Sequence, residues 1–283
     1  MPWFILLSNS DEWKQFEREN PDQVASAIQD FVDELNNRDE LKDVPWLYPM
    51  TEEYNCNYEI EEVRILDPIA PSSTAFWFQG LFNLQMIKGI ENLDTSNVTD
   101  MRKMFNYCGL KTVDLSSFST SNVTNMRCMF SHSDFTSLDL GSFDTSKVND
   151  MFQMFSYSPD LTNINLESFD TSNVTIMYGM FYGCSSLKSL DLRSFRTSSV
   201  KNMGIMFANC PSLRTLDLRS FDISGLTETS LGETGGKMMF ANCGNLTEIK
   251  VSQGWNPISD DVLSAAFIEC GVTGVTYYDN IMD

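Results

Sequence analysis

The sequence predicts an α/β solenoid of about eight stacked turns, each a short strand followed by a short helix, closed by an α/β cap at its N-terminal end. Three observations predict it. A Met-x-x-Met-Phe anchor recurs at Phe105, Phe130, Phe155, Phe181 and Phe207, in steps of 25, 25, 26 and 26 residues. Each unit joins two apolar patterns of different period. The outermost copies are worn, as terminal repeats of stacked proteins usually are.

The strand half is a Leu-x-x-Leu-x-Leu line, as in "LKSLDL", where Leu187 leads in and Leu190 and Leu192 alternate. The same slots hold Leu110, Val113 and Leu115, then Leu161, Ile164 and Leu166, then Leu213, Leu216 and Leu218. In the other half, "NVTIMYGMF", Val174, Met177 and Phe181 recur at i, i+3 and i+7, which predicts one face of a short helix. One such turn is too thin to bury its own apolar face, so the copies must stack, with parallel strands ~4.8 Å apart.

Phe240 continues the anchor series after a step of 33 residues. Degenerate copies are expected at "FWFQGLF", ending at Phe82, and around Phe267. The organisation expected is therefore a cap over residues 1–80, a solenoid over 81–258 and a C-terminal cap over 259–283. In the first segment, Asn20, Pro21 and Gln23 open a helix whose stripe is Val24, Ala27, Ile28, Phe31 and Leu35. The stretch from Tyr58 to Leu66 alternates like a strand, and Pro2 to Leu7 reads as another. The step of 33 is explained by a Gly-rich insertion over 225–237.

Of 283 residues 42% are hydrophobic and 20% charged, enough for a packed core, and the net charge is −20. That charge argues against a nucleic-acid binder and against an anionic membrane surface, and it favours a cationic partner. No window approaches the ~20 apolar residues of a spanning helix. The apolar start is short, lacks basic residues and runs into Asp11 and Glu12, so no export signal is read there. A cytoplasmic protein is the expectation.

Seven cysteines are present. Cys108, Cys184, Cys210, Cys243 and Cys270 all lie three residues after an anchor phenylalanine, where Ser133 and Ser158 fill the same slot. The slot wants a small residue, so free buried thiols are expected and no metal site. The single histidine, His132, follows an anchor and is expected to face solvent. No phosphate loop, nucleophile dyad or cofactor motif appears, so no catalytic residue and no cofactor is assigned. The sequons at Asn97, Asn122 and Asn173 arise because Asn and Thr suit turns.

The line "LDTSNVTDMRKMFNYCGLKTVDLSSF" resembles the repeat of the BspA-like leucine-rich-repeat family of surface proteins, and the likeness runs from Leu81 to about Val251. The resemblance implies a non-enzymatic solenoid that binds other macromolecules at a cell surface. Its alternatives are a cytosolic inhibitor or immunity-type protein masking a cationic partner, and an acidic mimic of nucleic acid.

Exposed slots that break the repeat are where binding is sought. One ladder reads Asp114, Asp139, Asn165, Asp191 and Asp217, and both a structural and a binding role are open for it. Two neighbouring ladders turn basic in adjacent repeats, at Lys188 and Arg214 and at Arg193 and Arg219. Six of the chain's 19 basic residues fall between Lys188 and Arg219. The candidate partner-binding residues are Lys188, Asp191, Arg193, Arg214, Asp217 and Arg219. Either they contact a partner or the arginines simply answer the aspartates beside them.

Overall fold

The computed structural model describes residues 60–226 and 238–252 and Trp255, together with the backbone of Leu6–Leu7 and Val275–Tyr278. The helix expected after Asn20, the degenerate copy around Phe267, Cys270 and most of the Gly-rich insertion lie outside the described residues.

The apolar slots bury as their periodicity requires. Val174, Met177, Met180 and Phe181 have no exposed surface, and the equivalent residues of the neighbouring turns are as deeply buried. The anchor phenylalanines form one column: Phe78, Phe105, Phe130, Phe155, Phe181, Phe207 and Phe240 stack in turn at 5.2–5.8 Å between centroids, with planes within 20°. The first member is Phe78, stacked on Phe105 at 5.2 Å. The expected placement at Phe82 was four residues too late, because Trp77-Phe78 occupies the Met-Phe slot. A second column, Phe169, Phe195 and Phe221, stacks at 6.2 and 6.0 Å on the other side of each turn.

The half expected to be a short helix is a run of turns instead. Alternate backbone N–H groups leave their own turn. Those of Met101, Lys103, Phe105 and Tyr107 donate to the carbonyls of Asn125, Arg127, Met129 and Ser131 in the next repeat, at 2.8–3.0 Å. The N–H groups between them close three-residue turns, Met104 onto Met101 and Asn106 onto Lys103. Left-handed residues recur every fourth position, as at Lys103 and Tyr107 with φ of 56°, and such residues break a right-handed helix. Serial tight turns also advance three to four residues per bend, so they share the apolar spacing of a helix. The pattern identified the buried face but not the backbone that makes it.

Strands fill the other half, in parallel register. β4 (Ser137–Asp139) pairs with β5 (Asn163–Asn165), setting Leu138 beside Ile164. β6 (Thr215–Leu218), β7 (Glu248–Ser252) and β8 (Val275–Tyr278) form a three-stranded sheet. At the N-terminal end β1 (Leu6–Leu7) runs antiparallel to β2 (Glu62–Arg64), which pairs in parallel with β3 (Met86–Lys88). Parallel pairing thus begins within the segment expected to cap the stack and continues into the one expected to close it. The strand side is interrupted into separate sheets, whereas a continuous bridge ladder joins Ser73, Asp100, Asn125, Asp150, Ile176 and Asn202 on the turn side. At the entry to the stack, Gly89 sits at φ 73°, and a Cβ there would stand 2.1 Å from the Ile65 carbonyl oxygen. Only glycine fits.

Candidate partner-binding surface

Most exposed polar slots are spent on the frame itself. Each aspartate of the strand-side ladder bends back to accept a backbone N–H two residues on. Asp114 takes that of Ser116 at 3.0 Å, Asp139 that of Gly141 at 3.1 Å, Asp191 that of Arg193 and Asp217 that of Arg219, both at 3.2 Å. Asn165 does the same for Glu167 at 3.1 Å, so the slot needs an acceptor rather than a charge. The "FDTS" acids repeat the device, as Asp94 does with Ser96 and Asp144 with Ser146. These are Asx turns.

The bonds shift the acids. The Ser96 backbone N–H holds Asp94 below the usual carboxylate range, and the Ser116 N–H does the same for Asp114. Asp191 and Asp217 are lowered first by the side chains of Arg193 and Arg219. Groups lowered in the folded state add stability above their unfolded pKa and lose it as pH falls through the folded one. The melting temperature is therefore expected to hold from about pH 5 upward and to fall below about pH 4. Replacing Asp94 and Asp114 by Asn should keep the turns and flatten that decline. A melting temperature indifferent to acid would refute the account.

The candidate residues come together on the strand side. Lys188, Asp191, Arg193 and Arg214 are exposed, while Asp217 and Arg219 are half-buried. Arg193 grips Asp191 through Nε at 2.9 and 3.1 Å and through Nη2 at 2.5 Å. Arg219 grips Asp217 in the same way, at 2.9, 3.1 and 2.7 Å. The arginines do answer the aspartates beside them. Lys188 and Arg214 make no ion pair among the described residues. Lys111, in the same slot three and four repeats earlier, bridges Asp134 at 3.3 Å and Asp160 at 3.0 Å.

The small-residue slot has a more specific role than size. The Ser158 hydroxyl and the Cys184, Cys210 and Cys243 thiols each donate to the carbonyl of an anchor phenylalanine in the preceding repeat, at 3.0 Å; Ser133 makes the same bond to Phe105. All five described cysteines are free and buried, and burial pushes the thiols of Cys108 and Cys184 up to about 12. Cys184→Ser keeps a donor for the Phe155 carbonyl, so its unfolding free energy should stay within about 1 kcal/mol of the parent. All seven thiols should titrate as free once the protein is denatured; recovering disulfides from thiol-blocked protein would overturn this.

His132, expected to face solvent, does so only in part. It is half-buried between Tyr107, at 4.3 Å between centroids, and Tyr157, at 4.5 Å, and burial lowers its pKa. Its Nδ1 is 2.8 Å from the Ser131 hydroxyl, itself buried. Sequence reasoning also missed the threonines of the "DTS", "STS" and "RTS" triplets. Thr95, Thr120, Thr145, Thr171 and Thr197 are all buried and donate to a backbone carbonyl of the next repeat at 2.8–3.0 Å. Their sameness from copy to copy was the available signal. The Asn122 and Asn173 side chains likewise donate to carbonyls of the preceding repeat, at 2.8 and 2.7 Å. Among the described residues there is no cluster able to hold a metal ion, and no helix long and apolar enough to cross a membrane.

Stacked turns, side-chain ladders that bridge them and a patterned exposed face define a repeat protein. Residues 73–165 and 133–255 match the model of a family described as "Mycoplasma protein of unknown function, DUF285", and the chain belongs to that family. No curated protein matches it. Among solved structures, a leucine-rich repeat protein from Bacteroides ovatus is similar over 78% of this chain and 84% of that chain, at 14% identity and a TM-score of 0.23. At that score the fold rests on the geometry above.

Proposed function

We propose that this chain is a non-enzymatic protein-binding repeat protein of the BspA-like leucine-rich-repeat type, with about eight turns, that recognises a macromolecular partner on its strand side. One observation carries the reading. On a frame whose buried slots repeat almost unchanged, two successive repeats place cations in both exposed strand-side slots, at Lys188 with Arg193 and at Arg214 with Arg219.

The pairing with aspartate suits this use. Asp191 holds the Arg193 side chain by Nε and Nη2, while 79% of that side chain stays exposed. An arginine ordered before contact loses less entropy when a partner carboxylate arrives at its remaining edge. Lys188 and Arg214 supply further charge on the neighbouring ladder. The aspartates act as holders, since each also anchors its own backbone turn.

The net charge of −20 favours a second reading, an inhibitor or immunity-type protein that masks a cationic partner. Residues 1–80 hold 17 acidic and 5 basic residues, which concentrates that charge at one end of the chain. A nucleic-acid mimic gains less support, because the regular carboxylates are turned onto their own backbone. The buried free thiols fit a reducing compartment, which favours a cytoplasmic location; cell fractionation would separate that from the surface role.

The partner would be captured from native lysate and the interface then titrated. Arg193→Ala with Arg219→Ala should weaken the complex by roughly 2 kcal/mol or more while leaving the melting temperature unchanged. If that pair is silent and charge reversals within residues 1–80 abolish binding, the strand-side reading fails and the masking one replaces it.

A further inference from the structure

The position two residues after each anchor phenylalanine is left-handed in all seven described turns. Gly80, Gly183, Asn209 and Asn242 occupy it with φ of 74°, 76°, 57° and 56°; these residue types tolerate that conformation best. The three turns between carry Tyr107, His132 and Tyr157 there, with φ of 56°, 56° and 53°. Tyrosine is less at ease in this region than glycine or asparagine, so nothing in the backbone favours it at these positions. The chain is its own control: the same turn closes with Gly or Asn at either end, so the frame does not call for rings in the middle.

Those rings form a surface column. Tyr107 and Tyr157 are 40% and 43% exposed, two of only four large apolar side chains so exposed among the described residues. His132 lies between them, with planes 28° and 30° from theirs. Phe82 and Tyr182 flank the trio at 5.8 and 4.8 Å but are steeply tilted, by 58° and 88°, so neither lies flat on the outer face of its neighbour. The adjacent column is already served by the protein's own cations: Arg127 sits 3.7 Å over Phe152, and Arg102 5.3 Å over Phe76. Among the described residues no cation sits over Tyr107 or Tyr157. At the border, Asp134 and Asp160 share the single Lys111, which leaves one carboxylate charge unbalanced.

We propose that the column Tyr107–His132–Tyr157, flanked by Phe82 and Tyr182 and bordered by Asp134 and Asp160, is a docking surface for an arginine- or lysine-bearing segment of a protein partner. Ring faces attract cations, the border carboxylates add to that attraction, and a molecule of net charge −20 draws a basic segment in while repelling an acidic one. Exposed tyrosines on a rigid frame are also the side chains interfaces concentrate. The three rings lie on repeats that precede the basic pair at Lys188 to Arg219, so each surface can be tested without the other.

The test uses the full chain and a hexa-arginine peptide, titrated at about 0.15 M salt so that long-range attraction is screened. Tyr107→Asn with His132→Asn and Tyr157→Asn gives the column the residue the chain itself uses at Asn209 and Asn242. The triple variant should bind the peptide at least ten-fold more weakly and melt at the same or a higher temperature. Equal binding by parent and variant, or no binding by the parent, would overturn the proposal, since charge alone would then account for any attraction. A lower melting temperature would overturn it too, because the rings would then be framework. So would perturbation of the tyrosine NMR signals by neutral maltohexaose and not by the peptide, which would make the column a carbohydrate platform.

Discussion

Phe181→Ala should cost roughly 3–5 kcal/mol of unfolding free energy, the range for emptying a fully buried phenylalanine site. Phe181 has no exposed surface and lies in the middle of the anchor column, 5.4 Å from Phe155 and 5.8 Å from Phe207, with planes 13° and 4° from theirs. Its loss removes two stacked contacts as well as buried area, and the cavity opens between repeats rather than at an end where the chain could settle. The backbone around it is fixed from both sides: the Phe181 N–H donates to the Met206 carbonyl in the next repeat, and the Met180 carbonyl accepts the Phe155 N–H from the preceding one, both at 2.9 Å. Little collapse is possible, so the upper part of the range is expected. Stability in a stack is shared through neighbouring interfaces, so amide exchange should quicken in the adjoining turns as well. Phe155→Ala and Phe181→Ala should be non-additive, whereas Phe105→Ala and Phe207→Ala, which share no contact with each other, should add. A loss below about 1 kcal/mol in denaturant unfolding would mean that the column does not hold the repeats together.

What the sequence could show depended on whether a residue's role was set by its own turn or by the next one. Burial belongs to the turn, and the spacing of Val174, Met177 and Phe181 identified the face correctly. The hydrogen bonds belong to the pair of turns. A helix was expected because its apolar period matches that of serial turns, and nothing local reveals that the Phe105 N–H seeks Met129 rather than its own helix. The same limit explains the slot of Cys184: its tolerance of serine was visible, but its bond to the Phe155 carbonyl was not. The early phase error was an error of weighting, because Trp77-Phe78 departs from Met-Phe while Phe82 supplies the ring. At the candidate surface, the columns of Lys188, Arg193, Arg214 and Arg219 were legible by alignment alone. That Arg193 and Arg219 close on aspartates two residues earlier follows from the Asx turn, which brings residues i and i+2 to the same side of the bend. The column through His132 was hidden for a different reason: its meaning lies in backbone sign, which residue names do not carry.

Polar ladders add to the cohesion that the phenylalanines provide, and the threonines carry the sharpest test. The Thr171 hydroxyl donates to the Arg196 carbonyl at 2.8 Å and accepts the Arg196 N–H at 2.8 Å, so one side-chain atom satisfies both backbone groups of a residue in the next repeat. Thr120 and Thr197 do the same for Asp144 and Asp222. Where no strand pairs Leu190 with its neighbours, these two-way bridges stand in for ladder bonds. Thr171→Val preserves shape and adds an apolar methyl, yet it leaves the Arg196 N–H and carbonyl without that partner. Arg196 is itself exposed and both bonds are part-buried, so at about 0.5–1.5 kcal/mol for each bond lost a loss of roughly 1–3 kcal/mol is expected. Thr171→Ser keeps the hydroxyl and gives up only a methyl, so it should lose no more than about 1.5 kcal/mol. The ordering decides the matter in a denaturant titration. If valine proves as stable as threonine and serine the worse of the two, Thr171 serves by packing, and the repeats are held by their apolar columns alone.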